Sequence, residues 1–185
     1  IVKKTALNAF IHFKNRPIIA INLDDGDELK WVKKTNGTQD IVLVTSSGMV
    51  IRFTENQVRA MGRSSRGVKG IKIRPEDRLV SMSCINPDED KLFLLIMSRL
   101  GYGKNMKVSE FKCQGRGGIG VKSIRFRKTV KGDIITDAII CKKENEVIIV
   151  TEKGTLCRQV IQNISTQRRE SQGVKILKLD DNDSV

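Results

Sequence analysis

Gly115-Arg116-Gly117-Gly118-Ile119-Gly120-Val121-Lys122-Ser123-Ile124 reads as a basic, glycine-rich loop running straight into a strand. The chain says nearly the same thing twice more. Met61-Gly62-Arg63-Ser64-Ser65-Arg66-Gly67-Val68-Lys69-Gly70-Ile71 precedes it, and Gln167-Arg168-Arg169-Glu170-Ser171-Gln172-Gly173-Val174-Lys175-Ile176 follows it. The glycines that open the Gly-Val-Lys step stand at 67, 120 and 173, a spacing of 53 each time. Gly48, Gly101 and Gly154 keep the same spacing, and each closes an apolar run and opens a short strand. Residues 1–5 fit that strand slot, with Lys4 in the place of Arg52 and Arg158. A period of about 40–50 residues points to a solenoid or a propeller.

The contents of the unit favour the propeller. In the first copy, Ile19, Ile21 and Leu23 alternate with Ala20 and Asn22, the period of a strand. Asp25-Gly26 and Asn36-Gly37 supply turn signals on either side of a second strand predicted at 28–35. Residues 41–45 form a continuous apolar run, as expected for a strand covered on both faces, and 49–53 follow as a fourth strand. Copy two predicts strands at 68–73, 79–85, 92–97 and 102–106. Copy three predicts them at 121–126, 134–141, 146–151 and 155–159, and the last copy stops after 174–179. The expectation is an all-β chain of four-stranded blades, about three and a half copies long. The repeats run 1–48, 49–101, 102–154 and 155–185 within one domain spanning 1–185. Because the chain opens inside a strand without Met and stops inside a repeat, it reads as a piece cut from a longer protein.

Lys and Arg number 34 against 21 Asp and Glu, for a net charge of +13, which favours a polyanionic partner. The basic loop lies at one end of each Gly-Val-Lys strand, while acidic turns at 24–28, Glu76-Asp77 and Asp133 lie at the other. Stacked blades would join the loops into a continuous basic stripe. No apolar run is long enough to cross a membrane.

Catalytic and metal chemistry find no residues to use. His12 is the one histidine, and it lacks partners for nucleophilic catalysis. Cys84, Cys113, Cys141 and Cys157 show no C-x-x-C spacing, so zinc is not expected, and reduced thiols are. The acidic cluster at 24–28 lacks the calcium-loop pattern, and Gly117-Gly118 is not followed by the Gly-Lys-Ser/Thr of a phosphate loop. Metal and cofactor are both expected to be none. Aromatic residues at 4% are too few to stack single-stranded bases, which leaves backbone electrostatics on duplex.

Three strings carry a family resemblance. They are Met-Gly-Arg-x-x-Arg-Gly-Val-Lys-Gly-Ile at 61–71, Asp-Gly-Asp-Glu-Leu at 25–29 and Gly-Tyr-Gly-Lys at 101–104. In order and period the chain resembles the C-terminal domain of DNA gyrase A throughout its length, with the corresponding domain of topoisomerase IV as the nearest relative. The resemblance implies a β-pinwheel, a propeller-like ring that exchanges a strand or hairpin between neighbouring blades and bends duplex DNA around its basic rim. It implies no catalytic site here, but membership of an ATP-dependent type II topoisomerase of A2B2 composition. The partners it implies are the rest of gyrase A, gyrase B and sequence-nonspecific duplex DNA. The implied setting is the bacterial cytoplasm and nucleoid, with an organelle as the other compartment left open. The family's box, Gln-Arg-Arg-Gly-Gly-Lys/Arg-Gly, is not intact in this chain. The string at 114–120 keeps the glycines and one Arg, and 167–169 keeps only the opening.

The residues expected on phosphates follow from the columns. Arg63, Arg116 and Arg169 share the third loop position, and Lys69, Lys122 and Lys175 share the position two past the loop glycine. Arg66 and Arg168 lie in the same loops. Arg52, Lys104 and Arg158 would extend the track along the blade-joining strand. Three alternatives stand beside this one: a topoisomerase IV domain for substrate selection, a protein-interaction scaffold, and an enzyme with an axial pocket.

Overall fold

The computed structural model describes residues 1–11, 17–129 and 131–185; His12 lies outside the described residues. Among these there is no α-helix, and no helix is long and apolar enough to cross a membrane. Ten strands build the fold. They are β1 (Asp40–Thr45), β2 (Met49–Thr54), β3 (Leu79–Ile85), β4 (Phe93–Ser98), β5 (Tyr102–Lys107), β6 (Val121–Lys122), β7 (Ile135–Cys141), β8 (Glu146–Val150), β9 (Leu156–Val160) and β10 (Val174–Lys175). Short 3-10 turns at Glu55–Gln57, Val108–Glu110 and Ile161–Asn163 follow β2, β5 and β9.

The strands of one copy do not make one sheet. One blade runs β3-β1-β2-β6, the next β10-β5-β4-β7, and β8-β9 form a third. A hairpin such as β1-β2 takes its third strand from the next copy and its outermost strand, β6, from the copy after that. Val50 pairs with Val121, Gly103 with Val174, and Val2 bridges Val68 in the same way. Each Gly-Val-Lys segment therefore leaves its own hairpin and closes the blade behind it.

Burial follows the two-residue period. All six residues of β1 are buried. Val42, Val44 and Val50 enter one inter-blade layer with Leu94, Ile96, Met106 and Ile124, while Ile41, Leu43, Ile51 and Phe53 enter the opposite layer. A strand inside a stack of blades has no solvent face, which is why these runs are apolar at consecutive positions.

The opening glycine of each exchanged strand has a geometric duty. Gly67, Gly120 and Gly173 have φ of +95°, +74° and +74°. A Cβ would lie 2.6 Å from the carbonyl oxygen of Val2 at Gly67, 2.5 Å from that of Val50 at Gly120, and 2.8 Å from that of Gly103 at Gly173.

Three predicted strands are not formed, at 19–23, 28–35 and 68–73, the last reduced to an isolated bridge at Val68. Residues 19–23 and 28–35 carry no strand, and Ile19, Leu29 and Val32 are 68%, 52% and 76% exposed. The register supplies the reason. β3 pairs with β1 and β7 with β4, so the second strand of each copy pairs with the third strand of the copy before it. Residues 28–35 have no such partner among the described residues. The Gly-Val-Lys strands are also shorter than expected, with two paired residues each at β6 and β10.

Gly120→Ala should destabilise the domain by about 2 kcal/mol or more, since it adds a left-handed side chain to a backbone clash. For a chain of this size that is a fall of about 4–8 °C in melting temperature. Gly115→Ala, with open space around it, should melt like the unaltered protein. Equal melting of the two variants would show that strand exchange does not depend on the close approach at Gly120.

Candidate nucleic-acid interface

Hydrogen bonds stitch the three loops into one ribbon. The Gly117 N–H donates to Gly70 O at 2.6 Å and the Lys72 N–H to Gly118 O at 2.8 Å. One blade further on, the Arg125 N–H donates to Ser171 O at 3.1 Å. The loop of each copy thus rests on the Gly-Val-Lys segment of the copy before it.

The loop arginines do the same with their side chains. Arg116 donates through Nε to Gln57 O at 2.8 Å and through Nη1 to Lys69 O at 3.0 Å, and its N–H donates to Gln57 Oε1 at 2.8 Å. Arg169 repeats this one blade on, with Nη1 on Lys122 O at 3.3 Å and its N–H on Glu110 Oε2 at 3.2 Å. Arg63 Nη1 donates to Ile19 O at 3.0 Å. All three arginines are half-buried. They were expected to reach phosphates, and the structure engages them first as ties between segments of the chain.

The structure corrects the expected extension of the track. Lys104 is completely buried, and its Nζ donates to four oxygens of residues 168–171. Arg52 Nε donates to Asp40 Oδ2 at 2.7 Å, with the Arg52 side chain 15% exposed and Asp40 7%. Arg158 is exposed but paired with Glu146 through Nε at 2.8 Å and Nη2 at 2.7 Å. Arg52 and Asp40 serve the fold, and Lys104 cannot touch an external ligand.

What remains outward is a set of lysines and two arginines. Lys69, Lys122, Lys175, Arg66 and Arg168 are exposed, Arg66 with Asp24 at 2.8 Å. Lys175 Nζ donates to Leu100 O at 3.0 Å and lies 4.5 Å from the Tyr102 ring centroid. Arg127 covers the same ring at 4.8 Å and donates to Gly173 O. The sequence reading missed a further column with the same 53-residue period: Lys72, Arg125 and Lys178, all exposed. The period itself was the signal for them.

The acidic turns have a structural role as well. Asp77 accepts from Ser46 Oγ at 2.7 Å, from the Ser47 N–H at 2.8 Å and from the Ser47 hydroxyl, pinning the β1-β2 turn. Asp133 takes the Leu100 N–H at 3.2 Å and Asp183 the Lys153 N–H at 3.1 Å. Burial pushes the Asp77 carboxyl upward, and the hydroxyls of Ser47, Thr45 and Ser46 outweigh it, leaving the value below the ordinary one. Arg74, Arg78, Lys128 and Lys131 flank these turns. Asp24, Asp25, Asp27, Glu28 and Glu76 of these turns remain exposed.

Exchanged strands, an all-β blade stack and a ribbon of basic loops define a β-pinwheel with a cationic rim. Comparison with known proteins agrees. A sequence model described as "DNA gyrase C-terminal domain, beta-propeller" matches residues 1–36, 39–86, 93–142 and 145–185. DNA gyrase A of Synechocystis sp. is 33% identical over all of this chain, which covers 25% of that protein. DNA gyrase A of Salmonella typhimurium is 36% identical, again over all of the chain, which covers 20% of it. The solved C-terminal domain of DNA topoisomerase IV matches with a TM-score of 0.88 at 27% identity, over 95% of this chain and 54% of that one. The DNA gyrase A C-terminal domain matches with a TM-score of 0.80 at 28% identity, over 90% and 55%. This chain belongs to the DNA gyrase C-terminal domain family, and it spans about a quarter or less of the length of the gyrase A proteins it matches.

The two ion pairs should separate cleanly. Arg52→Ala leaves Asp40 charged and buried, which should cost about 3 kcal/mol or more in chemical denaturation. Arg158→Ala should leave the denaturation midpoint where it is, because both partners of that pair face water. A similar midpoint for the two variants would overturn the assignment of Arg52 to the fold.

Proposed function

We propose that this domain binds duplex DNA through phosphates and bends it along the ribbon of loops, as the non-catalytic wrapping domain of a type II topoisomerase. The observation that carries the reading is the stitched ribbon. Loops 61–67, 114–120 and 167–173 are tied blade to blade. Along them lie the exposed Lys69, Lys122, Lys175, Arg168, Lys72 and Arg125. Lysines act on phosphate as point charges with no base-reading geometry, so binding should be indifferent to sequence. Bending 20–30 bp by 40–90° costs about 1–6 kcal/mol, and a repeated line of phosphate contacts can offset that. The rest of gyrase A together with gyrase B would supply the cleavage and ATP chemistry, in the cytoplasm where DNA is.

Binding should weaken steeply with salt. Each phosphate neutralised contributes about −0.9 to the slope of log K against log salt. Changing Lys69, Lys122, Lys72 and Arg125 together to Ala should flatten that slope by about 3 or more and leave the melting temperature nearly unchanged. Electrophoretic shift of unrelated duplexes across a salt series is the measurement. An unchanged slope in the quadruple variant would move the interface elsewhere on the surface.

The incomplete Gln-Arg-Arg-Gly-Gly-Lys/Arg-Gly box bears on wrapping. Fused to a gyrase cleavage core in place of that enzyme's own C-terminal domain, this chain should support ATP-dependent relaxation and fail to introduce negative supercoils into relaxed plasmid. Efficient negative supercoiling would show that the loop at 114–120 or at 167–173 replaces the box.

A further inference from the structure

Lys104 is a buried cation whose environment neither the fold nor the exposed rim explains. It stands on β5 with no solvent exposure, and its ammonium has no carboxylate within ion-pair distance among the described residues. Nζ donates instead to Arg168 O at 2.7 Å, Arg169 O at 2.8 Å, Ser171 O at 3.1 Å and Ser171 Oγ at 2.9 Å. A blade does not need this lysine. Ile51 holds the equivalent place one repeat earlier and Cys157 one repeat later, 53 residues to either side. Burying an ammonium is costly, and an apolar side chain there would serve stability as well or better.

The contrast between loops shows what the lysine does. Where Ile51 stands, Arg116 is held by three hydrogen bonds of its own, two from the guanidinium and one from its N–H. Where Lys104 stands, Arg169 has two longer ones. The Lys3 ammonium likewise meets Arg63 O, beneath the loop at 61–67. Four oxygens drawn inward to one ammonium fix the turn and leave the Arg168 side chain facing solvent.

We infer that Lys104 is a positioning residue for DNA contact, holding the 168–171 turn so that the exposed Arg168 meets a phosphate it would otherwise only visit. The inference rests on the DNA-binding reading above. Burial lowers the Lys104 pKa to about 8, the Glu110 carboxylate opposing the shift and the Arg169 guanidinium adding to it. The turn that Lys104 holds also carries the charges of Arg168 and Glu170. Deprotonation leaves two N–H donors for four oxygens, so the turn loosens as pH rises through about 8. Linkage acts in the opposite sense on stability. Between about 8 and the ordinary 10.5 the unfolded chain holds more protons at this group, so folding gains as pH rises.

The test compares the protein with Lys104→Met, Arg168→Ala and the double variant, all in a Cys113→Ser background that removes an exposed thiol. Duplex affinity, its salt slope and the melting temperature are read from pH 7 to pH 9. Lys104→Met should melt no lower than its parent, bind duplex about three- to tenfold more weakly and lose about 0.9 from the salt slope, one phosphate contact. It should add nothing in the Arg168→Ala background. Unaltered at residues 104 and 168, the protein should lose affinity from pH 7 to pH 9 without melting lower, and Lys104→Met should not show that loss. If the parent binds duplex but its affinity is flat with pH, or the two substitutions are additive, Lys104 is not a positioning residue. If the parent does not bind duplex at all, the DNA reading falls and this inference falls with it. If Lys104→Met fails to fold, the pH series on the parent and on Arg168→Ala decides the matter without a substitution at Lys104: a loss of affinity from pH 7 to pH 9 that Arg168→Ala abolishes supports the inference, and one that Arg168→Ala keeps overturns it.

Discussion

The backbone of one copy must come close enough to the hairpin of another for a glycine Cα to lie where no side chain fits. At Gly67, Gly120 and Gly173 the exchanged strand crosses a carbonyl of the preceding blade with positive φ. Everything else in the architecture follows from that crossing. It delivers Val68, Val121 and Val174 to the edge of the previous sheet and drives Ile71, Ile124 and Leu177 into the core four residues after the glycine. It also throws the connecting loop outward at the same place on every blade. An ordinary propeller blade is a local unit. Here each four-stranded sheet is assembled from three copies, so a blade is completed only by strands of its successors.

That dependence explains what the sequence revealed and what it hid. The apolar runs at β1 and β4 were legible because a strand buried on both faces leaves no other reading. Residues 28–35 looked equally like a strand, since period and turns are local properties. Whether a strand forms is decided by a partner, and the register of β3 on β1 and β7 on β4 places that partner a full copy earlier. The blades were legible as a repeat but not as sheets, because periodicity records copies and says nothing about which copies exchange.

The basic columns divide along the same line. From the sequence, Arg63, Arg116, Arg169, Arg52 and Lys104 look like the same kind of charge as Lys69 or Lys122. In the structure, the half-buried guanidinium groups and the Lys104 ammonium face backbone carbonyls or Asp40. One clue was present in the repeat: Ile51 and Cys157 share the column of Lys104, so that column does not require charge at a surface. The column at Lys72, Arg125 and Lys178 keeps its charge in the last three copies and stays exposed.

This division matches the chemistry of the two cations. A guanidinium is a planar fork with five donors, suited to bridging carbonyls of two chain segments at once, and Arg116 does that between Gln57 and Lys69. An ammonium on a flexible stem is a hydrated point charge, suited to a phosphate whose position varies along a bending duplex. On this rim three forks, Arg63, Arg116 and Arg169, are turned inward as ties, while Arg66, Arg125 and Arg168 stay outward among the lysines. Those ties hold the loops so that successive outward charges stay aligned, which a polymer that must be bent requires more than it requires recognition.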